Sequence, residues 1–142
     1  MANRDVKVVK RLRNRPFLMQ LPKTASTAFD KNSLVELTSG TLGASDDNDT
    51  SVLGILLEEV AATDTDYASA TNKDVEVLIS GDLIEIDYTG SAPTVGVTYG
   101  ISNAYTLDQG DTTNDCLFVL SVNTATTRCV CSVINPAVAT AI

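Results

Sequence analysis

Residue types that could carry out chemistry are scarce in this chain. The 142 residues include no histidine and no tryptophan. Without histidine, the chain has no imidazole to activate a serine or cysteine nucleophile or to bind a metal ion. Because aromatic residues make up only 5% of the sequence, a platform for stacking sugars or unpaired bases is also disfavoured. We therefore predict a binding or structural role: the protein is not an enzyme and has no catalytic residue, cofactor or metal.

The three cysteines fit this interpretation. Cys129 and Cys131 are two residues apart, which places both on one face of a strand, and Cys116 is distant in sequence. An odd number of cysteines without a framework spacing indicates reduced, buried thiols made in a cytosol. A metal site would require a second pair or a histidine. We expect structural thiols.

Acidic residues form two further candidates. The loop at 46–49 reads Asp-Asp-Asn-Asp and offers oxygen ligands for calcium. It lacks the spaced aspartates, central glycine and closing glutamate of a dedicated calcium loop, which favours a solvated turn and leaves calcium binding open. Glu85 and Asp87 resemble a glycosidase pair only in type, because both lie on the solvated face of a predicted strand, where both would ionise.

Charge divides the chain into two parts. Residues 1–23 carry seven basic residues and one acidic residue, a net charge of +6, whereas the remaining 119 residues carry three basic and seventeen acidic residues, a net charge of -14. This asymmetry predicts an N-terminal arm (1–23) with its own partner and a separate domain at 24–142. The apolar stretch 17–21 is too short for a secretion signal, and no stretch approaches membrane-spanning length.

Three interpretations of the arm compete: docking on an acidic protein surface, nucleic-acid binding and a solubilising tail. The acidic body disfavours phosphate, and apolar residues within the arm disfavour a tail, so we favour docking. We expect the arm to be poorly ordered without its partner, because it has no core to join. The candidate contacts are the basic Arg4, Lys7, Lys10, Arg11, Arg13 and Arg15 and the apolar Val6, Val8, Phe17 and Leu18.

The dominant hydrophobic period is two, which indicates an all-β fold of six to nine short strands. Segments 74–79 and 83–88 alternate apolar and acidic residues and predict a hairpin with one dry face and one wet face. A short helix is an alternative only within 53–62. These features predict a small barrel or a sandwich.

A second hairpin is predicted from 116–122 and 128–134. Antiparallel pairing would place Phe118 beside Val133, Leu120 beside Cys131 and Val122 beside Cys129. Both faces of this pair are largely apolar. The hairpin is therefore expected at the centre of a sheet or at a subunit interface.

The order of features from Phe29 to Asp87 resembles a known family. These features are the strand 34–37, the turn Ser39-Gly40-Thr41-Leu42, an aspartate-rich loop, the strand 52–55 and the alternating segments 75–88. In this order the chain is similar to the small capsid decoration, or cement, proteins of tailed bacteriophages. The resemblance implies a β-tulip or related small barrel, a homotrimer at capsid three-fold positions and an N-terminal arm that pairs with the major capsid protein.

The resulting expectation is a structural virion protein. It would bind the outer surface of the phage head as a trimer and stabilise the capsid lattice, after synthesis in the host cytoplasm, without direct contact to nucleic acid or membrane. The arm of this chain is longer and more basic than in the smallest family members. An alternative is an adhesin or ligand-binding module displayed on the virion through its loops.

Overall fold

The computed structural model describes residues 5–47, 49–113 and 115–137. The strands in these ranges are β1 (Lys7–Lys10), β2 (Leu18–Pro22), β3 (Leu34–Thr38), β4 (Thr41–Ala44), β5 (Gly54–Leu56), β6 (Asn72–Val77), β7 (Leu83–Tyr88), β8 (Thr98–Asn103), β9 (Thr106–Asp108), β10 (Leu117–Asn123) and β11 (Arg128–Val133). The described residues contain no helix, so the all-β prediction is confirmed. The expected strand number was too low, and 53–62 contains β5 rather than a helix.

Six strands form the first sheet, in the order β1-β7-β11-β10-β8-β9. β9 also pairs in parallel with β7, through Asp87 with Thr106 and Tyr88 with Leu107. Following the paired strands from β7 through β11, β10, β8 and β9 therefore leads back to β7. Strand β1 pairs with β7 next to β9, on the side of β7 opposite β11.

Five strands form the second sheet, in the order β2-β6-β5-β3-β4. A parallel bridge between Lys23 and Leu42 brings the chain just after β2 against β4. The Thr24 amide donates to the Leu42 carbonyl at 3.2 Å. The outer edges of the two sheets at β1 and β2 thus both come from the N-terminal part of the chain.

The core consists of two apolar clusters, one between the two sheets and one on the other face of the second sheet. Leu34 and Val35, neighbours on β3, belong to different clusters, because successive side chains of a strand point to opposite faces. The second sheet is consequently covered on both faces, and its inner cluster joins residues of the first sheet such as Ile84 and Cys131. Burial on two faces explains why β3 and β5 read as nearly continuous apolar runs.

Glycine is required at two places. Ser39 and Gly40 have φ of 52° and 87°, which matches the two-residue turn that joins β3 to β4 with the correct twist. At Gly54, a Cβ atom would lie 2.3 Å from the carbonyl oxygen of Glu76. Strands β5 and β6 therefore approach too closely for any side chain at this position.

The hairpin expected from 74–79 and 83–88 does not form. Strand β6 pairs with β2 and β5, whereas β7 pairs with β11 and β1 in the other sheet. The chain crosses between sheets after Val77, and the buried Asp82 carboxylate holds the crossing by accepting the amide of Ile79 at 3.0 Å and that of Leu12 at 2.9 Å. The alternation of apolar and acidic residues predicts which face of each strand is buried, but not which strands pair with each other.

The hairpin at 116–134 forms and lies inside the first sheet, as expected. Val122 pairs with Cys129, which confirms one of the three expected pairs. A bulge between Val119 and Ser121 shifts the rest of the register, so that Leu117 faces Val133 and Val119 faces Cys131. The predictions for Phe118 and Leu120 were wrong because a bulge adds an unpaired residue to one strand.

Candidate functional site

The N-terminal segment (residues 5–23) is folded into both sheets. Strand β1 adds to β7, and β2 adds to β6 with Met19 opposite Val75. The Val6 amide donates to the Asn32 carbonyl at 2.9 Å, and the Asp5 carbonyl accepts from Arg128 Nη2 at 2.6 Å. The expectation of an arm without a core to join is wrong for these residues; the docking role itself stays a prediction.

Three of the ten predicted contact residues face inward. Val6 is 2% exposed and belongs to the inner cluster, and the half-buried Val8 packs against the same cluster. Phe17 is partly buried against the cluster on the other face of the second sheet. These apolar residues were assigned to a partner because alternation in a short segment indicates a strand but not the sheet that the strand joins, and β1 joins β7 of its own chain.

Arg11 is committed to an internal ion pair. Its guanidinium donates from Nε to Glu76 Oε2 at 2.6 Å and from Nη2 to Oε1 at 2.8 Å. The Glu76 residue is only 4% exposed, so this fork provides the charge partner that a buried carboxylate requires. The hydrogen bonds to Glu76 raise the pKa of Arg11. Arg11 therefore links β1 to β6 and is removed from the set of outward contacts.

The other predicted residues are exposed, apart from Arg4, which lies outside the described residues. Lys7, Lys10, Arg13, Arg15 and Leu18 are all on the surface. Three further apolar residues of this segment, which were not among the predicted contacts, are also exposed: Val9 at 54%, Leu12 at 64% and Met19 at 40%. We call the five exposed predicted residues and these three apolar residues, eight side chains in all, the docking surface. They lie in one continuous stretch of chain that contains β1 and β2, the edge strands of the two sheets.

A cavity of about 320 Å³ lies beside β1. Its apolar lining includes Val6, Val8, Ile55 and Leu57, and its polar lining includes the Arg11 and Glu76 pair. The cavity separates β1 from the second sheet at the point where Arg11 bridges them. It marks the N-terminal segment as a place where packing between the sheets is incomplete.

The acidic loop does come together with a third carboxylate. Oxygens of Glu36, Asp46 and Asp49 lie within 4.8 Å of one another. The hydrogen bond to Asp49, with desolvation, raises the pKa of Glu36 to about 7. Glu36 came from β3 and was absent from the sequence-based candidate, and Asn48 lies outside the described residues. The three carboxylates therefore place possible oxygen ligands, which also carry like charges, close together. Calcium binding at this cluster stays untested.

Buried charges are the feature that sequence analysis missed most clearly. Arg128 is 7% exposed and donates to Glu85 Oε1 at 2.7 Å and to Asp87 Oδ1 at 2.6 Å. One guanidinium therefore binds both Glu85 and Asp87, the two carboxylates that were compared with a glycosidase pair. Lys23 is fully buried, with Nζ donating to the Tyr67 carbonyl at 2.9 Å and to the Ser69 carbonyl. These groups stabilise the fold rather than face a ligand.

The cysteines are free and buried, as predicted. The sulfur atoms of Cys129 and Cys131 are 3.6 Å apart on the inner face of β11. Their mutual hydrogen bond, with burial, raises the pKa of Cys131, and burial raises that of Cys116 to about 12. The same hydrogen bond lowers the pKa of Cys129. All three cysteines belong to the buried inner cluster and act as small core residues.

Comparison with protein-family models, curated proteins and solved structures finds no match to this chain. Within the described ranges, no helix has the length and apolarity needed to cross a membrane. The functional assignment consequently depends on the surface itself and on the resemblance in feature order.

Proposed function

We propose that this protein is a capsid decoration protein that binds the outer surface of a tailed-phage head as a homotrimer. The observation that carries the proposal is the docking surface, where exposed basic and apolar side chains are interspersed along the segment that forms the edge strands β1 and β2 of an otherwise acidic chain. Its partner is the major capsid protein. Binding there would hold neighbouring capsid subunits together against internal pressure.

Electrostatics and valency explain how such a surface works. Opposite charges on the partner steer encounter and fix orientation, while the exposed Leu18 and Leu12 supply apolar contact. The strongly acidic remainder of the chain keeps the docking surface from associating with phosphate. In a trimer, three such surfaces act together, and effective concentration raises the affinity above that of one copy.

The strand pairing supports the finer fold proposed, a small β-tulip-like barrel. Strands β7, β11, β10, β8 and β9 each have neighbours on both sides, which removes free edges from that part of the sheet. On the outer side of β10 and β11, Leu120 is 41% exposed, and Phe118 and Val130 are half-buried. We assign this apolar surface to the contacts between copies in the trimer.

Single charge reversals test the docking role without unfolding the protein. Deleting the N-terminal segment is unsuitable because it would remove two strands and Val6. We compare Lys10→Glu on the docking surface with Lys31→Glu, an equal charge change on an exposed residue outside it. The probe is binding to DNA-free heads at several salt concentrations. We expect K10E to weaken binding about tenfold and to reduce its salt dependence; equal affinities for the two variants would contradict the proposal.

A further inference from the structure

The outer edge of β2 has unused backbone groups. The Val77 amide donates to the Phe17 carbonyl and the Lys23 amide to the Thr71 carbonyl, at 2.8 and 3.0 Å. Antiparallel pairing alternates, so the intervening odd-numbered residues of β2 bond to β6, and the amides and carbonyls of Leu18 and Gln20 point away from the sheet. After Pro22 the edge is occupied by β4, because the Thr24 amide donates a hydrogen bond to the Leu42 carbonyl.

Between Leu18 and Gln20 this edge lacks the charges and bulges that protect most sheet edges, and its proline, Pro22, blocks only the end of the strand. Strand β1, the edge of the other sheet, has Lys7 and Lys10 at its ends and an irregular register between Val8 and Lys10. Charges and bulges of this kind prevent a further strand from adding. β2 contains no charged residue and no bulge, and Leu18 and Met19 are 57% and 40% exposed.

The charge near this edge indicates the partner. No acidic residue occurs between Val6 and Phe29, and the exposed Arg13 and Arg15 lead directly into β2. Of the two carboxylates opposite β2 on β6, Glu76 is paired with Arg11 and Asp74 accepts a hydrogen bond from Gln20. A second copy pairing edge to edge would bring its own arginines into the same region. A partner segment with carboxylates is favoured instead.

We propose that the open edge of β2 binds an extended, carboxylate-bearing segment of another protein, which adds as a further strand beside Leu18 and Gln20. Main-chain hydrogen bonds provide affinity in this mode, and side chains at alternate positions provide selectivity. The inference rests on the proposed function only in taking the docking surface as the partner's binding site. It adds that the bound segment of the partner is extended and carries carboxylates.

Gln20 offers a matched pair of variants. Gln20→Pro removes an outward amide hydrogen, because the backbone groups of Gln20 do not bond to β6, and leaves the backbone hydrogen bonds between β2 and β6 in place. Gln20→Ala keeps that amide and, like the proline variant, loses the side-chain bond from Nε2 to Asp74 at 3.1 Å. A difference between them therefore reports the outward amide alone.

The probe is a blocked seven-residue peptide of alternating valine and glutamate, with a valine and lysine peptide as its counterpart. Amide NMR of the full-length protein follows the titration. We expect the glutamate peptide to shift and protect the amides of Leu18 and Gln20, Q20P to weaken binding about tenfold or more and Q20A to change it less than about twofold. The lysine peptide should not bind.

Should Q20P fail to fold, a glutamate peptide methylated at alternate amide nitrogens removes the partner's half of the same bonds and should lose binding to the unaltered protein. Failure of the glutamate peptide to bind, or shifts located away from β2, would overturn the proposal. An oligomer that Q20P dissociates would overturn it in favour of a second copy. Because no phage head is used, these outcomes are independent of whether the protein decorates capsids.

Discussion

At the scale of single residues, charge in this protein often serves the fold. Glu76 lies between the apolar Val75 and Val77 and was expected on a wet face, but the second sheet buries both of its faces. The buried carboxylate is stabilised by the fork of Arg11. The same arrangement recurs at Arg128 with Asp87. Sequence pattern identifies such residues as surface because it records alternation and not what covers each face.

Removing the Arg11 side chain should therefore lower stability. In Arg11→Ala, Glu76 keeps its burial and loses both hydrogen bonds, so we expect the free energy of unfolding to fall by about 2 kcal/mol. Urea unfolding at neutral pH measures this. Arg15→Ala, at an exposed position, should change the value by less than about 0.5 kcal/mol, and equal losses in the two variants would contradict the structural role of Arg11.

Glu36 should make stability depend on pH. Its pKa is raised to about 7 in the folded protein from an ordinary value of 4.5, mainly by its hydrogen bond with Asp49. The folded state then binds more protons than the unfolded state between these values, so this stabilisation is complete below about pH 4.5 and is lost as the pH rises through 7.

The variant Glu36→Gln removes this dependence. At pH 8 it should be more stable than the unaltered protein by about 1 kcal/mol, and at pH 4 the advantage should disappear. Urea unfolding at both pH values provides the comparison. Asp47→Asn, in the same loop but outside the carboxylate cluster, should show no such change with pH. A constant difference between E36Q and the parent protein would count against the cluster geometry.

At the scale of elements, local signals were predictable and long-range pairing was not. The turn at Ser39 and Gly40 and the pairing of Val122 with Cys129 follow from turn chemistry and period-two alternation. The crossing between β6 and β7 does not, because either a hairpin or a sheet change satisfies the same alternation. The basic segment was likewise separable by charge, but its two strands are too short to distinguish from an extended arm.

Close approach of two strands at Gly54 gives a sharp element-scale prediction. In Gly54→Ala, the new Cβ would meet the Glu76 carbonyl oxygen at 2.3 Å, so β5 and β6 must separate at a cost of about 3 kcal/mol. Gly43→Ala places its Cβ 3.5 Å from the flexible Glu36 side chain and should change stability by less than about 1 kcal/mol. Thermal unfolding of both variants tests this, and a tolerated G54A would contradict the strand spacing.

At the scale of the whole molecule, the N-terminal segment connects the two sheets and supplies an outer edge of each. For the docking proposed above, this placement provides a rigid support, which would lower the ordering cost of binding. It also leaves the apolar outer side of β10 and β11 available for contacts between copies.

The apolar outer side predicts self-association. Light scattering at micromolar concentration should give about three times the 15.0 kDa mass of one chain. Leu120→Lys, on the exposed side of the central hairpin, should shift the mass toward that of a monomer, because a buried charge at an interface is unpaired. A monomer mass for the unaltered protein would contradict the assignment of this surface.

Whether this protein decorates capsids can be decided by co-sedimentation with expanded, DNA-free phage heads. The purified protein is incubated with DNA-free expanded heads and with a basic control protein of similar size, and the bound copies are counted after centrifugation. Decoration of the head predicts saturable binding of three copies at each three-fold position occupied, with an affinity about tenfold weaker for K10E. Absence of binding, or unsaturable binding matched by the control protein, would contradict the decoration function.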